Sequence, residues 1–83
     1  MFTVYVLYSD SYDKIYVGYT SNIDQRLKSH NELGTKGWTR KFRPWKIVHK
    51  EIFELKAEAM RRENELKSAS GRKWIRELVT QKI

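Results

Sequence analysis

Apolar and polar positions change their spacing several times along the chain, and each change marks a predicted element. Residues 2–8, FTVYVLY, are β-branched or aromatic on both faces, which favours a strand in the interior of a sheet. Turn-forming residues follow, and IYVGY over 15–19 predicts a second strand. Residues 2–19 are therefore expected to form a β-hairpin whose loop is longer than the tightest type.

Helical spacing begins after this hairpin. Ile23 and Leu27 share one face of a short predicted helix, for which Ser21 is the expected N-cap. Residues 31–45 have no steady period and are expected to form a long, ordered, basic loop, a kind of segment that is often functional. Residues 46–53, KIVHKEIF, return to strand character.

Two amphipathic helices are predicted for the C-terminal part. The first covers residues 54–69 and carries an apolar stripe of Leu55, Ala59, Leu66 and Ala69. Ser70-Gly71 is expected to break it, and the last helix, 72–83, is expected to bury Trp74, Ile75, Leu78 and Val79. The order β-β-α-β-α-α predicts one α/β domain of the α+β type over residues 1–83, with a modest core.

Charge narrows the choice of partner. Seventeen Lys and Arg against ten Asp and Glu give a formal charge of +7, which favours a polyanion such as nucleic acid, although a well-solvated basic protein remains the alternative. The basic residues are not gathered on one strongly amphipathic helix, which disfavours a membrane partner.

There is no cysteine, no apolar run near the ~20 residues of a membrane span and no signal segment. We therefore expect a complete, soluble cytoplasmic protein.

Two tyrosines and a glycine lie on the predicted hairpin. Tyr5 and Tyr16 share one face of the sheet if the strand pairing has an odd index sum, and an even sum would separate them. A cross-strand aromatic pair in the core is the competing interpretation. Gly18 within a strand indicates either a close backbone approach or a plain strand end.

Three charged or titratable side chains lie on the predicted helices. Arg26 and His30 are four residues apart and share a helix face, where an ordinary solvated pair is the alternative. Glu63 lies at the margin of the buried stripe, where a carboxylate is costly unless it is paired or binds a metal. Arg62 is the candidate for a structural ion pair with it.

In this order and spacing, the chain resembles the GIY-YIG nuclease superfamily, and most closely its small single-domain bacterial members. The half-motifs match "TVY" and "YVG", the family arginine matches Arg26 with His30 beyond it, and the metal-binding glutamate matches Glu63. "RPW" and "GRKWI" also resemble the bacterial group, and the similarity spans nearly the whole chain. Two departures are Thr3 in place of a glycine and Tyr19 where relatives carry a small residue or a lysine.

The resemblance implies a three-stranded antiparallel sheet flanked by helices, and an endonuclease of the kind used in DNA repair. Its implied catalytic residues are Tyr5, Tyr16, Arg26, His30 and Glu63. Glu63 would anchor one Mg²⁺ or Mn²⁺ ion, Arg26 would bind phosphate oxygens, and one tyrosine, with Tyr16 favoured, would take a proton from water. His30 would position the phosphate or relay a proton.

Basic residues mixed with aromatic ones supply candidate contacts to nucleic acid. The expected contacts are Gly18, Lys14, Lys36, Arg40, Lys41 and Arg43, among Trp38, Phe42 and Trp45. The two tryptophans are equally well explained as anchors of the loop on the core. DNA is favoured over RNA, and a monomer or weak homodimer is expected. The alternatives are a catalytically weak or inert binding module, acting on RNA or assisting a larger nuclease, and a small RNA- or ribosome-associated protein.

Overall fold

The computed structural model of the protein describes residues 1–28, 31 and 41–82. Its strands are β1 (Phe2–Ser9), β2 (Lys14–Thr20) and β3 (Lys46–Phe53), and its helices are α1 (Ile23–Lys28), α2 (Lys56–Lys67) and α3 (Ala69–Lys82). Within these residues the predicted β-β-α-β-α-α order and α+β class are confirmed. No helix in the same ranges is long and apolar enough to cross a membrane.

The sheet is antiparallel with the strand order β2-β1-β3. The central strand is β1, as expected from its apolar character on both faces. Tyr5 pairs with Gly18 and Leu7 pairs with Tyr16, so the register has the odd index sum that places both tyrosines on one face. On the other side of β1, the pairing with β3 shifts by one residue between Val6 and Leu7.

Each face of the sheet buries its own cluster. The first, which we name the helix-covered face, packs against α2 and α3 and consists of Val4, Val6, Tyr8, Ile15, Val17, Val48, Ala59, Leu66, Ile75 and Val79. The second, the tyrosine face, buries Tyr5, Leu7 and Trp45, with Tyr16, Ile23, Leu27, Phe42 and Ile47 packed around them. Alternation along β1 therefore divides successive residues between two different environments.

Helices α2 and α3 meet at Ser68, two residues before the predicted break. Ser68 Oγ donates to the Glu65 carbonyl at 2.5 Å and accepts from the Gly71 amide at 3.2 Å, so one hydroxyl serves both helix ends. Gly71 lies inside α3, where an added Cβ would stand 2.2 Å from the Glu65 oxygen and 2.6 Å from Leu66 Cα. The glycine therefore marks a close helix crossing instead of the end of a helix.

Three apolar residues that the sequence predicts as buried are exposed. Leu55 precedes α2 and is 61% exposed, and Ala69, at the start of α3, is also exposed. Trp74 is 39% exposed and packs edge-on against His49, with ring centroids 4.9 Å apart. Leu55 and Ala69 lie at helix ends, where a helical stripe no longer faces the sheet, whereas Trp74 lies within α3 and packs at the surface beside His49.

A polar network ties β3 to α2. Arg62 Nε lies 3.0 Å and 3.1 Å from the two Glu51 carboxylate oxygens, and His49 Nε2 lies 2.7 Å from Glu51 Oε2. Arg62 also donates to Glu65 at 3.2 Å. Burial disfavours ionisation of Glu51, but the hydrogen bonds from His49 and Arg62 outweigh it and hold the pKa of this carboxyl below its ordinary value. Arg62 is thus committed to Glu51 and Glu65, not to Glu63 as its sequence position suggested.

Candidate active site

Tyr5 and Tyr16 form the centre of the tyrosine face. Their ring centroids are 6.2 Å apart and their planes differ by 28°. Tyr5 is 1% exposed, whereas Tyr16 is half-buried on the edge strand and packs edge-on against Trp45 at 6.3 Å. One phenol is therefore held inside the protein and its neighbour lies at the border with solvent.

Because Gly18 has no side chain, the Tyr5 phenol can lie against the backbone of β2 at this position. An added Cβ at Gly18 would lie 2.7 Å from the Tyr5 hydroxyl oxygen, 2.9 Å from Tyr5 Cζ and 3.1 Å from Tyr16 Cε1. The first two separations are shorter than van der Waals contact allows, so a larger residue would displace the phenol. The strand thus lacks a side chain at the point where the two rings lie over the backbone.

Arg26 is carried by α1, directly after β2. Asn22 precedes the helix, and its side-chain oxygen accepts from the Gln25 amide at 3.1 Å while its carbonyl accepts from the Arg26 amide at 3.1 Å. Asn22, and not the predicted Ser21, is therefore the N-cap, because the capping residue immediately precedes the first helical residue. Arg26 is exposed and lines a cavity of about 310 Å³ with Thr20, Ser21, Asn22 and Gln25.

Glu63 is carried by α2. Its side chain is 17% exposed, and Oε1 lies 3.5 Å from Lys67 Nζ, one helical turn further on. The Glu-to-Lys spacing of four residues is a known helical pair, and it could have been found in the sequence, where Arg62 was chosen instead. The carboxylate is therefore partly desolvated and has one cationic neighbour.

The charges of Arg26 and Glu63 both act on Tyr5. Burial is the largest cause that raises the pKa of the Tyr5 phenol, and Tyr16 raises it further. The Arg26 guanidinium lowers this pKa and the Glu63 carboxylate raises it. Tyr5 therefore stays protonated at neutral pH, and it lies within electrostatic range of both Arg26 and Glu63.

The remaining predicted site residues are placed as follows. His30, Lys36 and Arg40, together with Trp38, lie outside the described residues. Lys14 begins β2, with its ammonium 5.6 Å from the centre of the Phe42 ring, and Lys41 is exposed. Arg43 Nη1 donates to the Asn31 carbonyl at 3.1 Å.

The segment before β3 is anchored on the core. Trp45 is 3% exposed, and its amide and carbonyl are both bonded to the Asn31 side chain, at 2.5 Å and 2.9 Å. This supports the core-anchor interpretation for Trp45. The sequence pattern gave no sign of Asn31, whose partners lie fourteen residues away.

The donor set fits a magnesium or manganese ion held by a single carboxylate. No cluster of three or more His, Cys, Asp or Glu side chains suited to a metal occurs within the described ranges. Mg²⁺ is commonly bound through one or two carboxylates, with water and substrate phosphate completing its shell. Glu63, whose side chain is partly buried, meets that requirement, and Lys67 is the neighbour that a cation would displace from it.

Comparisons with known proteins agree with this arrangement. The family model for the GIY-YIG catalytic domain matches residues 1–76. A UPF0213 protein of Staphylococcus haemolyticus is 38% identical over 64 residues, covering 77% of this chain and 78% of the relative. Another, from Natronomonas pharaonis, is 41% identical over 70 residues, covering 84% and 81%.

A solved structure is also similar. The solution NMR structure of a UPF0213 protein from Bacillus halodurans shares 33% identity with this chain and has a TM-score of 0.55. The match covers 94% of this chain and 85% of that one. Together with the family-model match over residues 1–76, these findings show that the chain belongs to the GIY-YIG domain family, a family of the nuclease type.

Proposed function

We propose that this protein is a metal-dependent endonuclease that hydrolyses phosphodiester bonds in nucleic acid, with DNA as the favoured substrate. The observation that carries the proposal is that the Tyr5 phenol, stacked on Tyr16, lies within electrostatic range of both the Arg26 guanidinium and the Glu63 carboxylate. Family membership supports the nuclease class, and the net charge of +7 supports a polyanionic substrate.

Arg26 is the group that receives the phosphate. A guanidinium presents a planar fork of donors that matches two phosphate oxygens, and it keeps its charge at every pH near neutrality. Arg26 is exposed beside an open cavity, so a phosphate can reach it without moving the core. In the transition state, where negative charge increases on these oxygens, the same contact becomes stronger.

The two tyrosines take different roles because their surroundings differ. The raised pKa of the buried Tyr5 phenol keeps it protonated, so it acts as a hydrogen-bond donor that orients water or phosphate. Tyr16 lies at the open edge of the sheet and, in its phenolate form, accepts the proton of the attacking water and becomes the neutral phenol. Gly18 preserves the distance between the two rings.

Glu63 is the residue that would hold Mg²⁺ or Mn²⁺. When bound, the cation supplies Lewis-acid stabilisation of the phosphate and of the leaving oxygen. The partial burial of Glu63 strengthens its attraction for a divalent ion, because the carboxylate keeps little water of its own. Lys67, its partner at 3.5 Å, is on the following turn and can withdraw toward solvent.

The test is cleavage of labelled single-stranded, duplex, nicked and branched DNA, and of matching RNA, in Mg²⁺ and in Mn²⁺. We expect metal-dependent products from DNA, and a fall in rate of about a hundredfold or more for Arg26→Ala and for Glu63→Gln. Matched controls are Lys28→Ala, on the same helix as Arg26, and Glu65→Gln, on the same helix as Glu63. Both controls should cleave at nearly the native rate.

The outcomes separate the candidate functions. Products that persist in Arg26→Ala and Glu63→Gln would assign the cleavage to a contaminant. Native protein that binds DNA or RNA but yields no product in either metal would replace the nuclease with an inert binding module. Faster cleavage of RNA than of DNA would keep the chemistry and change the substrate.

A further inference from the structure

A cationic surface lies next to Tyr16, along the free edge of β2. A cleft of about 410 Å³ opens there, between the edge strand on one side and the junction of α2 and α3 on the other. Its lining residues are Lys14, Ile15, Tyr16 and Val17 from the strand and Lys67, Arg72 and Arg76 from the helices. Four of these seven side chains are cationic and none is acidic.

Two of the four cationic side chains form ion pairs in the described part of the chain, and two do not. Lys67 is paired with Glu63 at 3.5 Å, and Arg76 with Asp13 at 2.7 Å. Lys14 and Arg72 have no carboxylate within ion-pair distance in the described part of the chain, although six other ion pairs form there. Lys14 and Arg72 thus border one cleft outside any ion pair, although Asp13 also acts electrostatically on Lys14, and the cleft keeps an excess of positive charge that favours an external anion.

Arg72 is also held in place. Its Nε donates to the Lys67 carbonyl at 3.2 Å, across the junction of α2 and α3. This bond fixes the stem of the side chain, while the terminal nitrogens have no acceptor among the residues that the structure describes. A guanidinium oriented in this way presents its paired donors to a phosphate at little cost in side-chain entropy.

Tyr16 connects this cleft to the candidate active site. It lines the cleft through its place on the edge strand, and it stacks on Tyr5 at 6.2 Å. A strand of nucleic acid with one phosphate at Arg26 and the tyrosines would continue past Tyr16 along the edge of β2. Its neighbouring phosphates would then meet Lys14 and Arg72.

From this geometry we infer that the β2-edge cleft binds the phosphodiester backbone next to the cleaved bond, through Lys14 and Arg72. This inference rests on the proposed function for its substrate. Contacts to phosphate carry no base information, so the cleft contributes affinity and register without sequence preference. Such a surface would help an 83-residue domain to hold a substrate.

The experiment measures binding separately from cleavage. Fluorescence anisotropy with a fluorescein-labelled DNA duplex, in EDTA and over a range of salt, compares native protein with Lys14→Gln/Arg72→Gln. The matched control is Arg61→Gln/Lys73→Gln, which removes one Lys and one Arg from exposed positions on α2 and α3 outside the cleft. Thermal unfolding of all three proteins by circular dichroism verifies that they are folded.

We expect the slope of log affinity against log salt to fall in magnitude by about 2 in Lys14→Gln/Arg72→Gln. The loss of affinity between about 50 and 200 mM salt would then be roughly tenfold smaller than in the native protein. The control should keep the native slope. Equal slopes in the two double variants, together with cleavage by the native protein, would contradict backbone binding by the cleft but would keep the proposed endonuclease activity. A slope lost only in Lys14→Gln/Arg72→Gln, without cleavage by native protein, would support the cleft and reject the nuclease.

A second probe distinguishes the class of partner. Labelled poly-glutamate is titrated against the same three proteins. If Lys14→Gln/Arg72→Gln lost affinity for poly-glutamate but not for DNA, the cleft would belong to an acidic protein partner, and our inference would be wrong.

Discussion

Two glycines allow close approaches in two regions of the molecule, and they differ in what comes close. At Gly71, the space that a Cβ would need is filled by the backbone of α2, at Glu65 and Leu66. At Gly18, it is filled by the phenols of Tyr5 and Tyr16. The helix crossing therefore uses a glycine to bring two rigid elements together, whereas the tyrosine face uses one to place reactive groups. One region supports the fold and the other shapes the candidate active site.

The largest expected effect is on stability, from Gly71→Ala. Because the added carbon would lie 2.2 Å from a backbone oxygen, the helices must separate, and we expect a loss of about 3 kcal/mol in the free energy of unfolding. Urea unfolding followed by circular dichroism measures it, with Ser70→Ala as the neighbouring control. A variant as stable as the native protein would show that the crossing is loose and would remove the contrast between the glycines.

Gly18→Ala should act mainly on cleavage. The new methyl would displace the Tyr5 hydroxyl and the Tyr16 ring, and a shift of a fraction of an ångström in reacting groups lowers the rate by roughly tenfold. We expect a change in unfolding free energy of only about 1 kcal/mol, because side chains can adjust where backbone cannot. Cleavage and urea unfolding of the same preparation would show both. A large loss of stability with native cleavage per folded molecule would make Gly18 a structural residue like Gly71.

The smallest expected effect is a change in acid sensitivity at the helix-covered face. The pKa of Glu51 is lower in the folded protein than in the unfolded chain, so this carboxylate adds stability above its ordinary pKa, and the contribution is lost as pH falls through the folded value. We expect Glu51→Gln to lose less stability than native protein when the pH is lowered from about 6 to about 3. Glu65→Gln, which removes the outer partner of Arg62, is the control. An unchanged pH dependence in Glu51→Gln would locate the acid-sensitive region elsewhere.

The hairpin and the order of elements could be predicted because they follow from local alternation and turn chemistry, whereas the register that places both tyrosines on one face was left open by the sequence. The errors share a different cause. Ser70-Gly71 is a plausible helix break by composition, but Gly71 is needed inside α3, where α2 crosses it. Trp74 has an apolar ring at a suitable helical position, yet it packs at the surface with His49. In both cases a partner from another element decided the outcome.

Glu63 illustrates the same limit within the candidate site. Its position at the edge of a buried stripe and its helical pair with Lys67 were both open to prediction, whereas the pairing of Arg62 with Glu51 on β3 was not, because it joins two elements that are distant in sequence. The β2-edge cleft could not be predicted from the sequence either. Lys14 and Arg72 are far apart in sequence and meet only because α3 packs back across the sheet.

Helix α2 carries both a core residue and a candidate active-site residue. Leu66 fills the core of the helix-covered face while Glu63, on the same helix, acts electrostatically on Tyr5. A ligand that binds Glu63 only in the folded chain therefore opposes unfolding of the whole domain by mass action, and raises the melting temperature with its own concentration. The melting temperature of this small domain can thus serve as a reporter of what its active surface binds, before any reaction has been found.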